Sequence, residues 1–357
     1  MSVYIIAEAG VNHNGSLDMA LRLVDAAAEA GADMVKFQTF RAAEVVSKNA
    51  PKARYQKQTT EAEESQFEMI QKLELNKEAH LGLMERCRKR GIGFLSTPFD
   101  EASADLLVND LWLETIKIGS GEITNAPLLR HIARKGCNVI LSTGMSTLGE
   151  IEDALGVLAF GFIAEGEKPS RQASREVYFS QDGRDSLEQK VILLHCTTEY
   201  PAPYEEVNLR AMNTMSQAFG LPVGYSDHTE GIEVPIAAVA LGACVIEKHF
   251  TLDRNLPGPD HKASIEPKEL ARMVSSIRNV ERTLGSFQKV PGIRERENIP
   301  IARKSLIAAV EISKGDVFTE DKVVCKRPGF GVSPMFYWDF LGRRATRDYK
   351  KDEVLED

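Results

Sequence analysis

The chain carries no apolar run long enough to span a bilayer, so nothing in it reads as a transmembrane helix. Its opening residues, MSVYIIAEAG, lack the basic start and long apolar stretch of a secretory signal and read better as a first strand. A cytoplasmic location is the expectation. Cysteine is scarce: Cys87, Cys137, Cys196, Cys244 and Cys325 are odd in number and show no CxxC spacing, which excludes a disulfide framework and a thiolate zinc site. Free, mostly buried thiols are expected. Basic runs are also missing, and 44 Lys and Arg against 52 Asp and Glu leave a formal charge of −8. Such a balance excludes a nucleic-acid partner, because that binding draws on clustered cations. An anionic substrate would need cations placed one at a time.

What is present is a soluble globular composition, 43% hydrophobic and 27% charged over 357 residues, enough for one large α/β barrel with an appendage or for two medium domains. Short β-branched runs alternate with helical-period segments over the first 250 residues, the pattern of repeated βα units. Eight strands are predicted, centred on 4–7, 34–37, 93–96, 115–118, 139–142, 192–195, 222–225 and 244–248. Eight is the number a closed (β/α)8 TIM barrel requires. Helices are predicted over 17–30, with Ser16 as N-cap, over 76–90, ending at Gly91, and over 267–284. The polar stretch 165–189 is longer than a normal connection and reads as an exposed insertion, ordered only in part. The barrel domain should cover 1–285 and a Gly- and Pro-bearing linker 286–300. Short strands with turns at Lys314-Gly315 and Pro328-Gly329 should make a small β domain of 301–357.

In (β/α)8 enzymes the reacting groups come from the C-terminal ends of strands. Polar residues stand there after every predicted strand: Glu8; Lys36 and Gln38; Ser96 and Thr97; Lys117, Ser120 and Glu122; Ser142 and Thr143; His195 with Tyr200; Ser226, Asp227 and His228; Lys248 and His249. Lys36 and Lys117 alternate with apolar neighbours, so on strands they point into the barrel mouth. Burying two ammonium groups costs several kcal/mol unless anions compensate them. A substrate bearing phosphate and carboxylate would do so, with amides of Gly119–Gly121 and Thr143-Gly144 cradling the phosphate; pairing with Glu8 or Glu122 would do so as well. His228 and His249, on neighbouring strands, could share a metal ion or serve as core or acid–base groups. Glu8, Glu122 and Asp260, the last on the loop after strand eight, are candidate acids and bases. In the tail, Lys326-Arg327 in a Gly-punctuated loop is either a carboxylate-binding fork or a solvated turn.

The blocks IAEAGVNHNG, VKFQTF, FLSTPFD, IKIGSGEITN, ILSTGMST, LLHCTTEYPAP, GYSDHTEG, IEKHFTLDRNLPGPDH and KRPGFGVSP, in this order, resemble the N-acetylneuraminate (sialic acid) synthase family over nearly the entire chain. The tail resembles the antifreeze-like, or SAF, β-clip domain attached to those enzymes. The resemblance implies condensation of phosphoenolpyruvate with N-acetylmannosamine or a related N-acyl amino sugar, with release of phosphate. Synthases making legionaminic or pseudaminic acid share these motifs and stand as the alternative, and a carbohydrate-binding protein with an inactive barrel as the second. By the same resemblance His228 and His249 hold a divalent metal, Mn²⁺ first, with Mg²⁺ or Co²⁺ also admitted. Lys36, Thr97, Lys117, Ser120, Ser142 and Ser226 match positions that grip phosphoenolpyruvate, Tyr200 one that touches the acceptor, and Glu122, Glu8 and Asp260 the catalytic acids. The family's homodimer, in which each SAF domain caps the partner's barrel, would bring Arg327 to the acceptor. The block 50–66 aligns loosely and contributes no site residue.

Overall fold

Eight strands form one parallel sheet: β1 Tyr4–Gly10, β2 Met34–Thr39, β3 Gly93–Pro98, β4 Thr115–Ile118, β5 Asn138–Ser142, β6 Val191–Cys196, β7 Val223–Asp227 and β8 Val245–His249. In this computed structural model, which describes residues 2–47, 50 and 65–357, the ladder runs β3-β2-β1-β8-β7-β6-β5-β4. Its two end strands, β3 and β4, lie against each other, and the expected (β/α)8 barrel is closed. Most of the 50–66 block lies outside the described residues. The chain divides into two units, Met1–Gly285 and Ser286–Asp357.

The period of two along each strand explains the interior. Ile6, Leu95, Ile140, Leu194 and Val245 fill the lower barrel as one apolar cluster. Two residues further along the same strands stand Glu8, Thr97, Ser142, Cys196 and Glu247, so the filling changes from apolar to polar within one layer. The alternate residues, among them Ile5, Val35, Phe37, Ile116, Leu141, Leu193 and Tyr225, face outward into the main core beneath the helices. Those helices start where their caps stand. Ser16 accepts from Met19 N ahead of Leu17–Glu29, and Asn76 accepts from Ala79 N ahead of Lys77–Arg90.

Two segments depart from expectation. The 165–189 stretch is helical rather than a partly ordered insertion: Ser170 and Ser180 cap the helices Arg171–Phe179 and Gln181–Lys190, which bury Ser174, Ser186 and Leu187. They pack on the helix Leu148–Ile163, where a Cβ on Gly156 would stand 3.2 Å from Ser174 O. Contact through small residues left the stretch looking polar throughout. Within 286–300, expected as linker, residues from Ile293 form a helix to Ala302.

In the second unit β9 (Ser305–Ala308) and β10 (Val323–Lys326) pair antiparallel over a core that includes Leu306, Ile312, Phe318, Phe340, Tyr349 and Leu355.

Candidate active site

Register brings the mouth together: Glu8 stands opposite Lys36 on β2 and His249 on β8. Lys36 Nζ lies 2.9 Å from Glu8 Oε2, donates to Thr97 Oγ1 at 3.1 Å and stands 3.6 Å from Glu247 Oε2. Lys117 Nζ lies 3.3 Å from Glu247 Oε1, which also accepts from Ser226 Oγ at 3.0 Å. All of these side chains are buried. Glu8 is thus the partner expected for Lys36, whereas Lys117 pairs with Glu247 and not with Glu122. Sequence reasoning missed Glu247, although its position two residues before His249 places both on one face of β8.

The four charges are unequal. Burial pushes the Glu8 carboxyl well above the usual range, and Lys36 offsets only part of that. Against the cost of burial, Lys117 and Lys36 together hold Glu247 below the usual carboxylate range. Burial is likewise outweighed at Lys36, where Glu247 and Glu8 raise the ammonium's pKa, but not at Lys117, where burial wins and lowers it. Glu247 is the dependable anion of the set.

Above the lysines the short 3-10 turn Ser120–Glu122 meets the end of β5. Gly144 N donates to Ser120 Oγ at 2.9 Å, and the same hydroxyl lies 3.0 Å from Cys196 Sγ. A Cβ on Gly144 would fall 2.2 Å from Thr198 Oγ1 and 2.9 Å from Ser120 Oγ, so the approach of these loops requires glycine. The Oγ atoms of Ser142 and Thr198 are buried and find no hydrogen-bond partner among the described residues. Buried polar atoms left unpaired mark where a polar ligand or water belongs.

Three rings close the other side. Tyr200 lies 4.2 Å from His228 and 5.6 Å from His249, centroid to centroid, and the two imidazoles are 5.6 Å apart. His228 Nδ1 donates to Thr197 O at 2.6 Å, which leaves its Nε2 lone pair free. Burial drives His228 down to about 4 and His249 well below its ordinary value, so both imidazoles are neutral near pH 7. His249 Nδ1 is buried without a partner among the described residues. Neutral imidazoles with a lone pair to give suit a borderline divalent cation. Among the described residues no group of three or more His, Cys, Asp or Glu is arranged to hold a metal. A divalent ion held here would take this pair as its protein donors and leave its remaining positions to water or substrate.

His249 and Tyr200 also line a cavity of about 620 Å³ with Gln38, Phe99, Glu122 and Asp260. Glu122 is half-buried and accepts from Asn125 Nδ2 at 2.7 Å. Burial pushes Asp260 up to about 6, with Lys36 opposing.

Five residues expected at the mouth point elsewhere. Ser96 Oγ donates to Phe37 O at 3.1 Å, and Thr143 Oγ1 lies 3.8 Å from Met215 Sδ in the outer core. His195 faces outward and donates its Nε2 proton to Val207 O at 2.7 Å, with its ring against Tyr225. Asp227 and Lys248 pair at 2.5 Å behind the mouth rather than in it. Each is one residue out of phase with a mouth residue, so the period of two turns it to the helix side. Arg327 belongs to the second unit, where it is exposed and donates Nε to Ala302 O at 2.9 Å.

The model of the NeuB family matches residues 23–289, and that of the SAF domain residues 303–357. The chain belongs to the NeuB family. An N,N'-diacetyllegionaminic acid synthase of Campylobacter jejuni is 52% identical over 99% of this chain and 98% of its own. The synthase of the same name from Legionella pneumophila is 46% identical over 99% and 94%. A solved N-acetylneuraminic acid synthetase of Leptospira borgpetersenii, in complex with citrate, superposes with a TM-score of 0.67 at 35% identity, covering 84% of this chain and 90% of that one. This NeuB-family chain is therefore an enzyme of the nonulosonic (sialic-type) acid synthase class, carrying a C-terminal SAF domain. No helix among the described residues is long and apolar enough to cross a membrane.

Proposed function

We propose that this enzyme condenses phosphoenolpyruvate with a diacetamido-trideoxyhexose to give N,N'-diacetyllegionaminic acid and phosphate. The observation that carries this reading is the 52% identity, over 99% of this chain, with a synthase named for that product, joined by 46% with a second of the same name. N-acetylmannosamine, the acceptor expected first from the motifs, gives way to the alternative.

The chemistry assigns work to the groups already described. Phosphoenolpyruvate, with its phosphate and carboxylate, would share Lys36 and Lys117 with the carboxylates of Glu8 and Glu247, and the hydroxyls of Thr97, Ser142 and Ser226 ring the same layer with Ser120 above it. The C3 carbon of phosphoenolpyruvate uses its enol electron pair to form a bond to the aldehyde carbon of the open-chain sugar, whose oxygen takes up a proton. Water adds at C2, and phosphate leaves with C–O cleavage. Glu122, Glu8 and Asp260 are the carboxyl groups within the mouth that can hold or release those protons, and Tyr200 flanks the acceptor. His228 and His249 would hold a divalent ion, Mn²⁺ in our reading, with Mg²⁺ or Co²⁺ as substitutes. When bound, such an ion supplies a Lewis acid for the aldehyde oxygen.

The deciding experiment compares acceptors in the presence of phosphoenolpyruvate and Mn²⁺ by phosphate release. The diacetamido-trideoxyhexose with legionaminic stereochemistry should give the highest kcat/KM, ahead of its pseudaminic counterpart and of N-acetylmannosamine. Phosphate release that ignores the sugar, or a preference for N-acetylmannosamine, would overturn the reading.

We extend the proposal to a homodimer whose SAF domains cap the partner's barrel, supported by the match of residues 303–357 and by the exposed guanidinium of Arg327. Arg327→Ala should raise the acceptor KM about tenfold, the loss of one charge-assisted hydrogen bond of ~1.5 kcal/mol. Metal affinity should be spared. An unchanged acceptor KM with full turnover would count against the capping.

A further inference from the structure

Asp260 has no strand or helix to hold it in the mouth. It precedes the 3-10 turn His261–Ala263 in a segment that leaves β8 at His249, is pinned at its two ends by a bridge between Phe250 and Ile265, and reaches the helix Pro267–Leu284. Loops of that kind are mobile unless tied down, yet Asp260 is only 9% exposed. The bridge holds the ends of the loop, and the ties to its middle come from the turn after β1. Asn12 Nδ2 donates to Phe250 O and to Ser264 Oγ, both at 2.9 Å, and Ser264 Oγ donates to Asp260 O at 2.7 Å. Asn14 Nδ2 donates to Pro257 O at 2.8 Å.

The remaining Asn14 atom sets a tautomer. Asn14 Oδ1 can only accept, so the 3.2 Å contact with His261 Nε2 makes that nitrogen the donor. His261, held neutral by burial with a pKa near 4, then accepts at Nδ1 from the Thr251 hydroxyl 2.6 Å away. One amide thus grips the loop on both sides of Asp260, at Pro257 and at His261. The backbone is shaped to admit it. Asn14 sits at φ +50, a left-handed conformation that Asn tolerates better than most residues. Gly258, at φ +145, passes so near that a Cβ would fall 2.7 Å from Asn14 Oδ1 and 2.7 Å from His261 Cδ2.

We propose that Asn14 is a positioning residue for the reaction: through Pro257 and His261 it holds the loop after β8 so that Asp260 faces the acceptor side of the mouth. The inference rests on the function proposed above, because the cavity shared by Asp260, Tyr200 and Gln38 is there read as the acceptor's place. The lysine and serine layer comes from the strands themselves and owes nothing to Asn14. Disturbing the clamp should therefore weaken the acceptor and leave phosphoenolpyruvate alone.

The test uses the full-length enzyme and Asn14→Gly, which removes the amide without straining a positive φ. Acceptor KM should rise about tenfold, phosphoenolpyruvate KM should stay within twofold, and amide exchange across 251–264 should quicken while that of 267–284 does not. His261→Gln, which keeps a donor for Asn14 Oδ1, should remain within about threefold of wild type. Equal damage to both KM values, an unchanged acceptor KM beside a loosened loop, or a glutamine variant as impaired as Asn14→Gly would each overturn the proposal. Should Asn14→Gly not fold, His261→Ala against His261→Gln carries the same comparison. A wild type that consumes no acceptor would sink the proposed function instead; the exchange measurement then judges the clamp alone, and unchanged exchange over 251–264 overturns it.

Discussion

Glu247→Gln should cut kcat/KM for phosphoenolpyruvate about a hundredfold at pH 8, the kinetic equivalent of about 3 kcal/mol and of the order seen when one partner of a buried ion pair is removed. The side chain keeps its shape and loses its charge. That charge is the one which holds both ammonium groups: its oxygens stand 3.3 Å from Lys117 Nζ and 3.6 Å from Lys36 Nζ. Lys36 retains Glu8 at 2.9 Å, but the described residues offer Lys117 no second ion pair. Burial already lowers the Lys117 pKa despite Glu247. Without that carboxylate it falls further, so the cationic share of Lys117 that faces the incoming phosphate shrinks as pH rises. A lowered cationic pKa is recovered as pH falls, so the deficit should be smaller at pH 6 than at pH 8. Steady-state phosphate release at the two pH values checks this. A deficit below threefold, or one equal at both, would show that Glu247 is a bystander to the lysines.

That residue also marks the limit of what could be read without coordinates. All eight strands were legible because each carries its own apolar alternation, and the polar groups after them were legible because a barrel gathers strand ends. The direction of each side chain depends on its phase along the strand, and a run such as Ser226-Asp227-His228 gives no phase by itself. Ser226 faces the mouth and Asp227 the helices, while His228, beyond the end of β7, turns back towards the mouth. Sequence order alone therefore groups Asp227 and Lys248 with the histidines and hides Glu247 between an isoleucine and a lysine. Applying the period from Ile6, Leu95, Ile140, Leu194 and Val245 upward would have corrected both. The helices of 171–190 were hidden for a different reason. Their fully buried side is made of Ser174, Gly183, Ser186 and Leu187, with only Val177 and Tyr178 packing half-buried beside it, so the apolar stripe is short and broken by small residues.

The pair set aside by that phase carries the other large effect. Lys248→Met should lower folding stability by about 3–5 kcal/mol, read as a shift in the chemical denaturation midpoint. Asp227 would remain in a site with essentially no solvent contact, its carboxylate stripped of the ammonium 2.5 Å away. Tyr225 OH at 3.1 Å and Thr229 N and Oγ1 at 3.1 and 2.9 Å still donate to that carboxylate, but they were arranged around a neutralised charge. Asp227→Asn combined with Lys248→Met removes the charge and keeps an amide oxygen to accept those bonds, so the double variant should recover most of the loss. Position gives the pair a second consequence. Asp227 and Lys248 are partners in the β7–β8 register, and each immediately precedes one of the two imidazoles. If the pair fixes how those strand ends meet, Mn²⁺ affinity measured by calorimetry should fall in the single variant and return in the double. A single variant as stable as wild type would mean that water reaches the carboxylate. A double variant no better than the single would mean that the loss is one of packing around the lysine stem rather than of charge.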